Sequence, residues 1–333
     1  MSAAPQAVLV TGAAGFIGSH TSEALLVRGA DSIGKVIGVD NFDPFYDEAI
    51  KRANLDEITK SDTDNRFVFE QTDIRDRDAI ESVFRKHKPT SVIHLAARAG
   101  VRPSIEDPAG YARVNVEGTT NILECSRIAG SARVVVASSS SVYGNASRVP
   151  FSEDDDISKP ISPYAATKCA TEGLCHAHHY LYGVPVACLR FFTVFGPRQR
   201  PDLAISKFFR LIDQGEAIPM FGNGATSRDY TFIEDIVSGV LASMDRIDEH
   251  GFRVWNLGGS SPVTLDEMIA SVARTVGKEA IIDHQPSQMG DVERTFADLT
   301  RSKADLGYEP QTTFEEGLAR QWAWYSQRIS ALR

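Results

Sequence analysis

The stretch VLVTGAAGFIG, residues 8–18, decides the fold of this 333-residue chain. Three glycines, Gly12, Gly15 and Gly18, follow an apolar run and precede an amphipathic segment. Glycine lets the backbone turn sharply and approach a pyrophosphate, and a helix that begins there offers free N–H groups to the anion. The spacing is GxxGxxG rather than GxGxxG, and its position between a strand and a helix predicts a phosphate-binding turn.

Apolar runs alternate with amphipathic segments through the first half of the chain. The predicted strands are residues 7–11, 35–40, 67–73, 91–97, 133–139 and 184–191. The main predicted helices are residues 15–28, 77–88, 109–128 and 163–182. Continuous apolar strands separated by helices indicate an α/β fold with a doubly wound parallel sheet, whose ligand crevice lies at the carboxyl ends of the strands. After about residue 190, Gly- and Pro-rich turns separate shorter segments, which predicts a smaller C-terminal lobe partly interleaved with the first domain.

The composition limits the partners and the compartment. A net charge of −9 argues against nucleic acid or an anionic membrane as the main partner, and no apolar run is long enough to cross a membrane. The N-terminus lacks the basic and apolar segments of a signal peptide, and the four cysteines form no CxxC pair; both favour a cytoplasmic protein with reduced thiols. The acidic run 153–156 has no His or Cys partners at ligand spacing, so we expect a solvated loop and no metal site.

An acidic residue ends the second predicted strand. Asp40 lies 22 residues after Gly18. A carboxylate there accepts hydrogen bonds from both ribose hydroxyls of NAD and repels a 2′-phosphate, which favours NAD over NADP. Asp73, at the end of the third strand, is a candidate contact for the adenine amino group, and a strand-end cap is nearly as good an explanation.

Tyr164 and Lys168 lie four residues apart in a predicted helix. This spacing puts both side chains on one face, one turn apart. A phenol is a poor base at neutral pH, and a neighbouring ammonium favours the phenolate and lowers its pKa. The pair follows a serine-rich strand end, SSSSVYG at residues 138–144, by about 25 residues, which makes the pattern more specific than YxxxK alone.

These motifs together resemble the extended short-chain dehydrogenase/reductases, the group that contains nucleotide-sugar epimerases and dehydratases. The matching stretches are TGAAGFIG, HLAA (94–97), NVEGTTNILE (115–124), SSSSVYG, YAATK, LRFFTVFGP and RDYTFIEDI, which span residues 7 to about 240. The resemblance implies a Rossmann-like fold, with residues 1–190 as the NAD-binding domain that carries the Tyr/Lys helix and residues 191–333 as mostly a UDP-sugar lobe.

The same resemblance implies a catalytic triad of Ser139, Tyr164 and Lys168, because the family's hydroxyl residue lies five residues before the glycine of VYG. The other three serines are then expected to cap the backbone or to be exposed. Asn115 is implied as a structural polar residue near the cofactor. The complete set predicted to bind NAD is Gly12, Gly15, Phe16, Ile17, Gly18, Asp40, Asn41, Asp73, Ile74, Leu95, Ala96, Ala97, Asn115, Tyr164 and Lys168.

Two positions after the catalytic serine separate three reactions. The 4,6-dehydratases resemble STDEVYG here and use the Asp and Glu as acid and base, and the UDP-glucuronate decarboxylases keep a Glu just before VYG. This chain has Ser140 and Ser141 instead. A hydroxyl does not serve as a carboxylate does in proton transfer near neutral pH, so removal and return of one hydride, a 4-epimerisation, is the predicted reaction.

The sugar is indicated by the segment LRFFTVFGPRQRPDLAISKF, residues 189–208, which is similar to the UDP-glucuronate 4-epimerases, as is residues 40–55. UDP-galactose epimerases usually have Asn in place of Thr193. The resemblance implies that Thr193 and Arg200 contact the C6 carboxylate, with Arg198 as the alternative to Arg200. A guanidinium offers two parallel donors to a carboxylate, so it fixes orientation as well as affinity.

The UDP end is assigned through the same resemblance. Arg228 of RDYTFIEDI is expected to bind the diphosphate and Asp291 a uridine ribose hydroxyl, although Gln288 replaces the arginine frequent in galactose-type epimerases. The complete set predicted to bind substrate is Arg102, Ser139, Ser140, Ser141, Thr193, Arg200, Arg228 and Asp291.

Alternative functions follow from the same residues. Within the class, the chain could epimerise UDP-glucose/UDP-galactose or an N-acetyl sugar, or carry out net oxidoreduction. From another class, it could be a non-catalytic NAD-binding protein, although the complete triad argues against this. The helices around 109–128 and 164–182 resemble those that pair into a four-helix bundle in family homodimers, so a homodimer is expected.

Overall fold

The computed structural model describes residues 5–131, 133–145, 148–286 and 292–332. The strands are β1 (Gln6–Thr11), β2 (Ile33–Asp40), β3 (Phe67–Gln71), β4 (Ser91–His94), β5 (Arg133–Ser139), β6 (Val186–Phe191), β7 (Thr193–Phe195), β8 (Ile218–Phe221), β9 (Ser227–Phe232), β10 (Phe252–Leu257), β11 (Pro262–Thr264) and β12 (Ile282–Gln285). The α-helices are α1 (Phe16–Val27), α2 (Glu48–Ser61), α3 (Arg77–His87), α4 (Val101–Glu106), α5 (Pro108–Ala112), α6 (Gly118–Ala129), α7 (Pro163–Tyr182), α8 (Ala204–Gln214), α9 (Ile233–Arg246), α10 (Leu265–Val276), α11 (Thr300–Leu306) and α12 (Phe314–Leu332).

Seven parallel strands form the central sheet in the order β10-β6-β5-β4-β1-β2-β3. Chain order reverses between β1 and β4, and in open α/β sheets ligands bind outside the carboxyl ends of the strands at such a point. The predicted α/β fold with a doubly wound parallel sheet is therefore confirmed.

The strands are buried on both faces because consecutive apolar side chains point to opposite sides of the sheet. In β1, Val8 and Val10 pack into one hydrophobic cluster, whereas Leu9 packs into the other. In β5, Val135 joins the first cluster, and its neighbours on both sides join the second. This two-sided burial explains why the strands appear in the sequence as continuous apolar runs without polar alternation.

Helix α7 begins and ends where local signals predict. The Ser162 side chain accepts a hydrogen bond from the backbone N–H of Ala165, and Pro163 occupies the first turn. Gly183 ends the helix in the left-handed conformation, with φ of 69°. These caps satisfy the unpaired backbone groups at the two ends and fix the helix that carries Tyr164 and Lys168.

The C-terminal part of the chain contributes to more than one layer. Strands β11, β9 and β7 form a three-stranded sheet, and β12 pairs with β8. Strand β10 belongs to the seven-stranded sheet, where it pairs with β6. A domain boundary near residue 190 stays a prediction. Strand β10 comes from the C-terminal part of the chain and lies in the sheet of the predicted first domain.

The structure differs most from two of the predicted segments, and it contains a helix that was not among them. The predicted strand 91–97 ends at His94, and residues 95–97 continue as a loop. The predicted helix 109–128 is divided into α5, a π-helical turn at Arg113–Glu117 and α6. Helix α2 is absent from the predicted helices. Among the described residues, no helix has the length and apolar character needed to cross a membrane.

Candidate active site

The glycine loop leaves no room for side chains. Gly12 has φ of 70°, and a Cβ added there would lie 2.9 Å from the backbone nitrogen of Ala96. A Cβ added at Gly18 would lie 2.0 Å from the carbonyl oxygen of Gly12. The loop therefore packs tightly against the segment that follows β4 and against the start of α1, and its glycines line the cavity beside it. Such a surface fits the pyrophosphate of a dinucleotide.

Replacing Gly18 with Ala is expected to lower the thermal melting temperature, because the backbone of Gly12 must move to admit the Cβ. Gly29→Ala is the matched control, since a Cβ added at Gly29 meets no atom within 4 Å. The check is thermal unfolding of both variants beside the wild-type protein. Equal melting temperatures for all three would contradict the packing described for the loop.

A cavity of about 360 Å³ opens at the carboxyl ends of the strands, beside the glycine loop. All residues predicted to bind NAD line it, except Asn115. Of the residues predicted to bind substrate, Ser139, Thr193 and Arg200 line it. Those among the described residues that do not line it are Arg102, Ser140, Ser141 and Arg228.

Asp40 is buried at the end of β2 and faces the start of α1. One carboxylate oxygen accepts from the backbone N–H of Phe42 at 2.8 Å and the other from that of Ala14 at 3.2 Å. Burial raises the pKa of this carboxyl above its ordinary value, and the two backbone hydrogen bonds oppose the shift. The carboxylate is thus fixed at the cavity wall by the glycine loop.

Asn41 and Asp73 form a pair at the rim beyond Asp40. The Asn41 amide donates to Asp73 at 2.9 Å, and Arg75 pairs with the same carboxylate at 2.6 Å. The hydrogen bonds from Arg75 lower the pKa of Asp73 to about 2. Asp73, two residues after the end of β3, therefore lines the cavity while its carboxylate already accepts hydrogen bonds from Asn41 and Arg75.

Tyr164, Ser139 and Lys168 meet at the inner end of the cavity. The Ser139 hydroxyl opposes the rise that burial causes in the pKa of the Tyr164 phenol, and its Oγ lies 3.2 Å from the Oγ of Ser141. The Lys168 ammonium donates to the carbonyl oxygen of Ala137 at 2.7 Å. Since Ala137 lies two residues before Ser139 on β5, this bond fixes the height of α7 against the strand end.

The pKa values of these groups differ from the sequence-based expectation. Burial raises the pKa of Tyr164 above its ordinary value, and the hydrogen bond from Ser139 and the charge of Arg200 act in the opposite direction. Burial lowers the pKa of Lys168 to about 8. The ammonium is directed at Ala137 rather than at the phenol, so in the protein alone burial has the larger effect on Tyr164.

The four serines at residues 138–141 do not all have the surroundings that were expected of them. Ser138 is neither exposed nor a backbone cap: it is buried, and its hydroxyl donates to Glu172 at 2.5 Å. Glu172 in turn holds Arg190 of β6 at 2.8 Å. Ser139 itself caps the turn that follows, since its hydroxyl accepts from the backbone N–H of Ser141 at 3.2 Å. A buried charge pair requires such partners, so the Ser138 hydroxyl serves the Glu172–Arg190 pair although Ser138 is among the residues that line the cavity.

Asn115 is buried in the π-helical turn behind the loop after β4. Its amide oxygen accepts from the backbone N–H of Arg98 at 2.8 Å, and its nitrogen donates to the hydroxyl of Thr167 at 3.0 Å. It thus joins the cavity wall to α7 without lining the cavity. This arrangement agrees with the structural role implied by the family resemblance.

Two arginines of the loop after β7 have different surroundings. Arg200 lines the cavity, forms a bidentate pair with Asp202 at 3.0 and 2.7 Å, and lies over the ring of Phe45. Arg198 is buried outside the cavity wall, where it pairs with Glu23 and Glu57. Of the two, Arg200 is the one placed to meet a ligand.

Arg102 and Arg228, which were predicted to bind substrate, do not line the cavity. The Arg102 guanidinium lies 4.7 Å from the ring centre of Phe221. The Arg228 guanidinium donates to the carbonyl oxygens of Ser227 and Glu293. Asp291 lies outside the described residues. The roles of these residues stay predictions.

Several cavity residues were not predicted from the sequence. Six of them with polar or large side chains are Asp43, Phe45, Tyr46, Lys51, Arg98 and Leu203. Lys51 lies 4.6 Å from the ring centre of Tyr46 and donates to the carbonyl oxygen of Asp43 at 2.6 Å. The available signal was the family-like stretch at residues 40–55, which carries four of the six.

The acidic run also differs from expectation at one position. Glu153 is buried, and its carboxylate accepts from the backbone N–H of Asn256 at 2.8 Å, whereas the Asp154 side chain is 82% exposed. The prediction of a solvated loop is therefore wrong for Glu153. Among the described residues, no group of three or more His, Cys, Asp or Glu side chains could hold a metal ion.

Comparison with known proteins places this site among nucleotide-sugar enzymes. A family model described as GDP-mannose 4,6 dehydratase matches residues 9–321. A UDP-glucuronate 4-epimerase of Thermodesulfobacterium geofontis is 40% identical over 326 residues, which cover 98% of each chain.

Solved structures with the same fold include more than one kind of epimerase. A UDP-glucuronic acid 4-epimerase from Bacillus cereus, in complex with UDP-glucuronic acid and NAD, is 33% identical with a TM-score of 0.89, over 96% of this chain and 99% of that one. A UDP-glucose 4-epimerase from Thermotoga maritima, with UDP-glucose, is 30% identical with a TM-score of 0.85, over 97% and 99%. Epimerases of UDP-glucuronic acid and of UDP-glucose thus have the same fold. The choice between the two sugars must therefore depend on the residues of the site.

Proposed function

Because the chain belongs to the extended short-chain dehydrogenase/reductase family, in the group matched by the GDP-mannose 4,6-dehydratase model, we propose that it is an NAD-dependent 4-epimerase. Its substrate is UDP-glucuronate and its product UDP-galacturonate. The observation that carries this proposal is the presence of Arg200 in the same cavity as Ser139, Tyr164 and Lys168. A cation at that place suits a sugar with a carboxylate at C6.

The glycine loop and Asp40 support NAD as the cofactor. The bare backbone of the loop and the α1 N-terminus suit the pyrophosphate, and Asp40 suits the adenosine ribose. When bound, NAD accepts a hydride from C4 of the sugar and returns it to the opposite face. Since no net oxidation results, the cofactor is expected to stay bound through the cycle.

The proton at the sugar 4-hydroxyl is handled by Tyr164 and Ser139. The Ser139 hydroxyl is proposed to bind the 4-oxygen of the sugar beside the Tyr164 phenol, since both side chains line the cavity. Lys168, whose pKa burial lowers to about 8, lies one helical turn from Tyr164, and we expect its positive charge to favour the phenolate when substrate and cofactor are bound. The same groups return the proton when the hydroxyl is restored on the other face.

The turn after Ser139 supports epimerisation over elimination. Ser140 and Ser141 occupy the places of the acid and base in 4,6-dehydratases, and neither lines the cavity. A dehydratase needs a positioned group of suitable pKa to remove a proton from C5. In the described part of the cavity wall, the side chains near Ser139 are hydroxyl groups rather than carboxylates. We therefore expect the 4-keto sugar to be reduced again rather than to lose water.

The alternative substrate within this class is UDP-glucose or UDP-galactose. Thr193 and Arg200 argue against it, because a neutral hydroxymethyl group at C6 does not form the charge-assisted hydrogen bonds that a C6 carboxylate forms with a guanidinium. Net oxidoreduction would consume the cofactor during turnover, so a measurement that finds no consumption of NAD or NADH excludes it.

The first test is proton NMR of the purified protein with UDP-glucuronate and no added cofactor. We expect UDP-galacturonate to accumulate toward a constant ratio with the substrate. A pentose nucleotide as the main product would overturn the interpretation of Ser140 and Ser141. Turnover of UDP-glucose without turnover of UDP-glucuronate would keep the triad and remove the proposed role of Arg200.

We also infer a homodimer in the cytoplasm. Large apolar side chains are exposed at the ends of α6 and α7: Ile128 by 51%, Tyr180 by 79% and Leu181 by 65%. These helices resemble those that pair in family homodimers, and their apolar ends suit a second copy of the chain. The four free cysteines, three of them buried, suit a reducing compartment. Light scattering on the purified protein gives the assembly state, and a monomer would overturn the dimer.

A further inference from the structure

The loop between β7 and α8, residues 196–203, carries Arg200 to the cavity. Two residues before Arg200, the backbone of Arg198 has a positive φ of 64°. This left-handed conformation is uncommon for a long side chain and persists only where surrounding contacts hold it. On either side of this turn, the Arg198 side chain contacts Glu23 and Glu57, whereas the Arg200 side chain lines the cavity.

Arg198 anchors this loop to two helices of the cofactor domain. Its Nη2 lies 2.8 Å from Glu23 of α1 and 2.6 Å from Glu57 of α2, and its Nε donates to Glu57 at 2.9 Å. The Arg198 side chain is only 8% exposed. A planar guanidinium that pairs with carboxylates from two helices fixes the position of its own backbone relative to both.

The neighbouring residues of the loop are held in the same way. The ring of His20, on α1, donates to the carbonyl oxygen of Pro197 at 2.9 Å. Gln321 of α12 accepts from the backbone N–H of Gly196 at 3.0 Å and donates to the Gln199 side chain at 3.0 Å. Every residue from 196 to 199 is therefore bonded to an element outside the loop.

Arg200 itself has weaker attachments to the rest of the protein. Its bidentate partner, Asp202, belongs to the same loop, and its contacts with the carbonyl oxygen of Ala99 are 3.4 Å long. The stacking contact with Phe45 is the remaining support, at 4.9 Å from the ring centre. The place of the guanidinium in the cavity therefore depends on where the backbone of the loop is held.

We propose that Arg198 is a positioning residue for the sugar carboxylate, acting through Arg200 by fixing the loop against Glu23 and Glu57. This inference rests on the proposed function, because it assigns Arg198 to the selection of the uronate. It predicts that loss of the anchor weakens binding of a sugar with a C6 carboxylate and spares a sugar without one. A side chain that only stabilised the fold would affect both sugars alike.

The test is calorimetric titration of Arg198→Met with UDP-glucuronate and with UDP-glucose. We expect the Kd for UDP-glucuronate to rise about tenfold, since misplacing a binding group by about 1 Å has effects of this size or larger. The Kd for UDP-glucose should stay within about twofold of the wild-type value. Arg210→Met, which removes an exposed ion pair of α8, is the matched control and should change neither Kd.

A second variant, Glu57→Gln, removes one partner and keeps Arg198 paired with Glu23. Like Arg198→Met, it should raise the Kd for UDP-glucuronate and not that for UDP-glucose, but by a smaller factor. It decides the question if Arg198→Met does not fold. Equal weakening of both sugars, or an unchanged Kd for UDP-glucuronate in both variants, overturns the positioning role. A wild-type protein that neither prefers nor epimerises the uronate overturns the proposed function, and this inference with it.

Discussion

Replacing Tyr164 with Phe is expected to lower kcat for UDP-glucuronate by about 10²–10⁴-fold, the range of a general acid–base group. The substitution removes only the phenolic hydroxyl from a side chain that lines the cavity together with Ser139. The ring remains in its buried site against Tyr111, with their centres 6.2 Å apart, so the fold is expected to be retained. Without the phenol, the proton of the 4-hydroxyl has no acceptor of suitable pKa in the predicted triad.

The measurement is the initial rate of UDP-galacturonate formation by NMR, with the amount of bound NAD determined on the same sample. Tyr180→Phe is the matched control, since Tyr180 is on the same helix with 79% of its surface exposed. A Tyr164→Phe enzyme with wild-type kcat would remove Tyr164 from the mechanism. A variant that has lost its NAD would instead point to a binding role.

Replacing Arg200 with Ala is expected to lower kcat/KM for UDP-glucuronate by about a hundredfold, because hydrogen bonds to charged groups contribute about 1.5–3 kcal/mol. A second product is also expected. The 4-keto form of a glucuronate is a β-keto acid, which loses carbon dioxide when its C5–C6 bond aligns with the carbonyl π system. A guanidinium that holds the carboxylate out of this alignment prevents the loss.

In the Arg200→Ala enzyme, the electron pair of the C5–C6 bond passes to the carbonyl as carbon dioxide leaves, and C5 then takes a proton. The check is NMR and mass spectrometry for a pentose nucleotide beside UDP-galacturonate. Arg246→Ala is the control, because Arg246 is 51% exposed and pairs with Glu249 at the end of α9. Unchanged kinetics and a single product in Arg200→Ala would leave the carboxylate clamp without support.

Much of the fold can be predicted because its signals are local. The glycine triplet, the apolar runs and the caps of α7 at Ser162 and Gly183 each depend on residues a few positions apart. Backbone hydrogen bonds within helices and the steric needs of a turn have this range. The strand that ends at Asp40 and the helix that carries Tyr164 and Lys168 are therefore predicted nearly to the residue.

The errors occur where distant residues determine the outcome. The predicted helix 109–128 contains a π-helical turn that brings Asn115 to the backbone of Arg98 and to Thr167, 52 positions away. Ser138 is buried because Glu172 and Arg190 lie beneath the strand end. Neither contact has a signature in the sequence near the residue it affects.

The sequence by itself determined the chemistry available to this protein: a dinucleotide-type turn, a serine–tyrosine–lysine set, and no carboxylates at positions 140 and 141. Only the tertiary structure separated Arg198 from Arg200, which are equivalent as residue types two positions apart. Glu23, Glu57 and Gln321 hold the loop across 122 to 175 positions of chain. An arginine's role depends on which carboxylate it meets, and folding, through burial and long-range pairing, selects that partner.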